Sequence, residues 1–143
     1  MKKTALLAVA GLAALVVTAV AFAAPKGMGW SAKLDAMQEI PHQVVKAPNG
    51  KGSFNATLTG NTLKWKLTFS GLTGQATAAH IHMGAMGKAG GVVVALCGPC
   101  KSGISGSAKL SKMLETAATK HKLYVNVHTA KNPNGEIRGQ ITP

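Results

Sequence analysis

The chain is 143 residues long and 46% hydrophobic, and its 16 Lys and Arg against 4 Asp and Glu give a formal net charge of +12. That much apolar content excludes a disordered chain. The few acids, dispersed at Asp35, Glu39, Glu115 and Glu136, leave no paired-carboxylate hydrolase to be read from spacing.

Lys2 and Lys3 precede an apolar stretch over 5–22, and Ala21-Phe22-Ala23 stands before Ala24-Pro25. A basic start, an apolar middle and small residues at the end make a secretory signal peptide over 1–23, cleaved near Ala23. A retained anchor is the alternative, since 5–24 is close to the roughly 20 residues that span a bilayer. Either way the protein is expected outside the cytoplasm, periplasmic or secreted. Residues 24–29 then form a flexible stub, and 30–143 form one domain able to bury a single core.

In chain order, a strand is predicted over 30–37. Another follows over 52–58, where Phe54, Ala56 and Leu58 alternate. Over 62–69 the alternation is strict, with Leu63, Trp65, Leu67 and Phe69 on one face and Lys64, Lys66 and Thr68 on the other. Such a period marks a half-buried antiparallel strand, and Gly60-Asn61 before it is suited to a tight hairpin turn. Further strands are predicted over 77–83, 91–96, 123–129 and 136–142, with turns at 48–50, 71–74, 84–90 and 132–135. Between them 107–122 carries Leu110, Met113, Leu114, Ala117 and Ala118 at helical spacing. The sum is an all-β protein: an antiparallel β-sandwich of about seven strands, with one short helix in a crossover connection.

Three histidines stand out within those strands. On a strand over 77–83, Ala79, Ile81 and Met83 face the core while His80 and His82 project together from the other side, roughly 6.5–7 Å apart. On 123–129 the same alternation puts Tyr124, Asn126 and His128 opposite Leu123, Val125 and Val127. If the two strands are neighbours, three imidazoles meet on one face. Such a set suits copper or zinc, with a fourth position for water or a carboxylate such as Glu136. The other reading is a structural hydrogen-bonded network in which Asn126, Thr129 and Asn134 hold the last hairpin. Glu136 and Arg138 share a strand face and are expected to pair with each other or with a facing strand.

Cys97-Gly98-Pro99-Cys100-Lys101 has the lettering of a dithiol redox motif. That chemistry needs the first thiol at a helix N-terminus, yet 102–106 reads as loop. A structural Cys97–Cys100 disulfide is expected in an exported chain. No G-x-S-x-G elbow occurs, and the Gly-rich run 84–91 lacks the Lys-Ser/Thr of a phosphate cradle. The lysines are scattered without interleaved aromatics, which speaks against nucleic acid. They leave an anionic glycan, wall polymer or membrane surface as possible partners of a monomer whose specific extracytoplasmic ligand is unknown.

Ala79-His80-Ile81-His82, the strand Val92-Val93-Val94, Tyr124-Val125-Asn126-Val127-His128-Thr129 and the block Asn132-Pro133-Asn134-Gly135-Glu136-Ile137-Arg138-Gly139-Gln140-Ile141 resemble the CHRD domain, the module named after its repeats in chordin. Leu34 and Gln38-Glu39-Ile40-Pro41 fit its early part, with His42 where a second proline is common. The resemblance covers about 30–141. It implies an exported, immunoglobulin-like sandwich and a non-enzymatic binding or structural module.

Overall fold

The computed structural model describes residues 26–41 and 49–143. The signal stretch, its cleavage position, His42 and the Pro48 start of the first turn lie outside the described residues. Eight antiparallel strands form: β1 (Met28–Asp35), β2 (Lys51–Thr59), β3 (Thr62–Ser70), β4 (Ala76–Met83), β5 (Val92–Cys97), β6 (Ile104–Lys109), β7 (Leu123–Thr129) and β8 (Ile137–Gln140). Among the described residues one α-helix, α1 (Lys112–Thr119), lies between β6 and β7, and a single 3-10 turn (Ala36–Gln38) follows β1.

The strands hydrogen-bond in the order β5-β4-β7-β8-β1-β2-β3-β6. Its middle is thin, because β1 and β8 share one ladder pair, Asp35 with Arg138, supplemented by a bridge between Ser31 and Thr142. This seam divides the sheet into two four-stranded halves that give their inner faces to one apolar core. Phe54, Leu63, Leu67 and Leu34 come from one half, Ile81, Val125, Val127 and Ile137 from the other, and all are at most 2% exposed. At roughly 1.5–3 kcal/mol for each fully buried side chain of this size, their burial is the main force closing the sandwich.

The β2–β3 hairpin follows from its sequence: the turn sits at Gly60-Asn61, Gly60 has φ 59°, and Thr59 pairs with Thr62. The fold has eight strands where about seven were expected, because β6 occupies 104–109, read from sequence as loop and helix start. Its inward positions are Ile104, Gly106 and Ala108, and the last two are too small to carry the apolar alternation past Ile104. Gly106 is small for a reason: a Cβ there would lie 2.5 Å from the Trp65 ring. Helix α1 is correspondingly shorter than predicted. Ser111 caps it by accepting from the Leu114 amide, and Leu114, Ala117 and Ala118 face inward. Met113, counted on that face by spacing, is exposed.

Candidate metal centre and its polar surround

Strands β4 and β7 are neighbours, with His80 opposite Asn126, His82 opposite Tyr124 and Ala78 opposite His128. Ala79 and Ile81 point into the core at 0% exposure, so the histidines project from the other face as the alternation required. On its opposite edge β4 meets β5 with two register shifts, which leave Leu96 and Val93 of β5 without partners beside His80 and His82. Such irregularities re-aim side chains next to functional positions.

The face opposite the core is not open to water. Tyr124, Asn126, His128, His82, Arg138 and Gln140 are all buried there. Three segments cover them: 36–41, the β4–β5 loop over 84–91, and 132–136. Arg138 donates to the carbonyls of Ala85 and Lys88, while Gln140 donates to those of Gly84, His121 and Leu123. The polar row ties the loops down.

His80, His82 and His128 offer ligand nitrogens that all lie within 4.8 Å of one another. His82 Nδ1 is 3.0 Å from the Gly90 carbonyl and His128 Nδ1 is 3.0 Å from the Pro133 carbonyl. A carbonyl can only accept, so both rings carry their proton on Nδ1 when neutral and present a bare lone pair at Nε2. His128 Nε2 lies 3.2 Å from His80 Nδ1, and His82 Nε2 is buried with no hydrogen-bond partner. An orphaned acceptor inside the protein costs about 1–3 kcal/mol.

A tetrahedral ion with bonds of about 2.0–2.1 Å sets its donors roughly 3.4 Å apart. The His80–His128 pair, at 3.2 Å, lies near that spacing, and the other separations are within 4.8 Å. Loop carbonyls fix the tautomers of His82 and His128, as the outer shell does for metal-bound imidazole generally. Gly90 is required at its place, since a Cβ would lie 1.5 Å from the Met83 carbonyl oxygen. The Tyr124 hydroxyl accepts from the Gly90 amide and donates to its carbonyl, and the Tyr124 ring stacks on His82 with centroids 4.9 Å apart. Burial is the main reason all three imidazoles titrate below the usual histidine range; neighbouring charge adds to it, from His82 on His80, from Arg138 on His82, and from His80 and His82 on His128. They are neutral at pH 7, as ligands must be.

Other sequence-predicted residues lie elsewhere. Glu136 and Arg138, expected to pair with each other or with a facing strand, do the second: both turn to β7, Glu136 to Thr129 and Arg138 to Tyr124. The Glu136 carboxylate accepts from the amide and hydroxyl of Thr73, the hydroxyl of Thr129 and the side chain of Asn132. These bonds hold it below the usual carboxylate range although burial pushes the other way. Arg138 lies over the Tyr124 ring, 3.6 Å from its centroid. Thr129 does hold the last hairpin, but Asn132 takes the part expected of Asn134, whose side chain is exposed.

Asn126 reaches a residue that spacing could not find. Its amide donates to Glu39 at 3.1 Å, and burial pushes the Glu39 carboxyl up to about 7. Gly135, at φ 130°, makes room for the pair, since a Cβ there would strike both the Asn126 amide and the Glu39 carboxylate. Cys97 and Cys100 are joined in a disulfide ahead of β6, with no helix at the first cysteine.

The family model for the CHRD domain matches residues 30–141, nearly the whole described chain. The chain belongs to the CHRD family. CHRD domains are a non-enzymatic, extracellular type of module, and the disulfide accords with an oxidising compartment. No helix among the described residues is long and apolar enough to cross a membrane. No curated protein and no solved structure matches the chain.

Proposed function

We propose that this CHRD protein is an exported, non-enzymatic binding module that holds one copper or zinc ion through His80, His82 and His128. The observation that carries the reading is the orphaned Nε2 of His82, buried beside two further imidazole nitrogens with its tautomer fixed by Gly90. Imidazole donors suit both metals, and a set of three leaves a position for water or an exogenous ligand. Equilibrium dialysis of purified protein against Zn²⁺ and Cu²⁺ tests it. One ion per chain is expected, with affinity falling on the order of 100-fold or more in His82→Ala. Absence of stoichiometric binding, or binding unchanged in that variant, overturns the reading.

A second reading concerns the outer face of the β1-β2-β3-β6 half. Lys33, Lys51, Lys64, Lys66 and Lys109 stand exposed there among Ser31, Asn55, Thr57 and Ser105, with Asp35 the lone acid on those strands. A flat, single-sign face of this kind fits an anionic wall polymer, glycan or membrane surface. Retention on heparin is expected to collapse between low and moderate salt. Retention that ignores salt contradicts it.

A further inference from the structure

Arg138 is 2% exposed and has no carboxylate within ion-pair distance, because the one ion pair among the described residues is Lys112–Glu115 at the surface. Its Nη2 is used by Ala85, Lys88 and Gln140, while Nε and Nη1 have no side-chain or carbonyl partner among the described residues, and the residue lines a cleft. A buried cation without a counter-charge is costly. Stacking on Tyr124 offsets part of that cost. The nearest acid, Glu39, prefers its neutral form through burial up to about pH 7.

The guanidinium lines a cleft of about 360 Å³ between the 36–40 turn and the 84–91 loop. Its walls are Met37, Ile40 and Met86, and the two methionines are 81% and 79% exposed at its mouth. A volume near the lower end of roughly 300–1,000 Å³, apolar walls and few convergent polar groups are the usual make-up of a small-molecule site. Unbranched thioether side chains adapt to varied apolar ligands. The remaining polar groups are already engaged: the Gln140 amide donates to three carbonyls, and Gln38 is bonded to Lys33, Asp35 and the Gln140 backbone. Arg138 therefore supplies the free donors.

We infer that this cleft binds a small organic monoanion, its carboxylate on the free edge of Arg138 and its apolar body between Met37, Ile40 and Met86. One cation facing apolar walls selects one negative charge joined to hydrocarbon. It leaves the second charge of a dianion, or the ammonium of an amino acid, without a partner. The site is separate from the histidines and does not depend on a metal.

The test is an NMR titration of protein labelled at the methionine methyl groups, with hexanoate, hexan-1-ol and acetate as probes. Hexanoate is expected to shift the Met37 and Met86 signals saturably, with the alcohol and acetate at least about tenfold weaker. Arg138→Gln is expected to abolish the hexanoate response. Because Arg138 also anchors the 84–91 loop, Met86→Glu serves as the second variant: it places a carboxylate at the exposed mouth and is expected to weaken hexanoate by about tenfold with Tm unchanged. No saturable shift with millimolar hexanoate, equal binding of the alcohol, or a Met86→Glu protein that binds hexanoate as before overturns the inference.

Discussion

His80 Nδ1 and His128 Nε2 face each other at 3.2 Å although 48 residues separate them in the chain. His128 cannot donate from that nitrogen while its Nδ1–H is held by Pro133, so without an ion His80 must donate. With an ion both nitrogens are acceptors at ligand spacing. The contact is thus a hydrogen bond between the two rings, and under the proposed function the same two nitrogens would be the ones to turn to an ion.

Tyr124 positions His82, the proposed ligand, without offering a ligand atom itself. Tyr124→Phe keeps the ring against His82 but frees Gly90, whose carbonyl fixes the His82 tautomer. Zinc affinity measured by competition with a chromophoric chelator is expected to fall roughly 10–100-fold, with one ion per chain retained. An unchanged affinity would show that Gly90 is held well enough by its loop.

Glu39 makes stability fall as pH rises towards 7. Its folded value of about 7 stands above the ordinary 4.5, so its contribution is complete below the unfolded value and is lost as pH rises through 7. The three histidines act with the opposite sign in an overlapping range: depressed in the folded state, they cost stability as pH falls below the ordinary 6.5, which is why the comparison with Glu39→Gln is needed. Thermal unfolding between pH 4.5 and 8.5 should show the wild-type Tm falling relative to Glu39→Gln as pH rises from the ordinary 4.5 through about 7, with the difference constant above that. Parallel profiles for the two proteins count against a buried, mostly protonated Glu39.

Glu136 is a clamp between the 71–75 turn and the end of β7. Removing one donor with Thr129→Val leaves a buried carboxylate short of a bond and should cost about 1–3 kcal/mol in chemical denaturation. The loss should come with little change in zinc affinity, because the carboxylate bonds to Thr73, Thr129 and Asn132 rather than to the histidines. A large loss of metal with no loss of stability would reassign Glu136.

Cys97 and Cys100 close a short loop. Replacing both by serine is expected to cost about 2 kcal/mol by the chain-entropy estimate and to leave zinc binding intact. The protein is also expected not to reduce insulin with a dithiol donor, since the Cys97 thiol has no helix dipole to lower its pKa. Turnover in that assay contradicts the staple assignment.

What the residues disclosed, and what they hid, follows from the range of the forces involved. The β2–β3 hairpin and the facing of His80, His82 and His128 are local matters of period two and a turn glycine, and each stands where the alternation put it. Strand β6 was hidden because Gly106 is chosen by the Trp65 ring across the sheet, not by its own strand. Alternation gave the outer face of β7 a direction but not an environment. It could not show that loops 84–91 and 132–136 fold over Tyr124, Asn126 and His128 and bury them. The partnership of Asn126 with Glu39, 87 residues apart, left no local trace except Gly135, a glycine that the turn pattern already explained.

The central claim is that His80, His82 and His128 hold one ion, and X-ray absorption at the zinc edge of the loaded protein tests it most directly. Three imidazole nitrogens at about 2.0–2.1 Å are predicted, with the imidazole outer-shell scattering lost in the His80→Ala/His82→Ala protein. A first shell without imidazole, or one that the double substitution leaves unchanged, would contradict it.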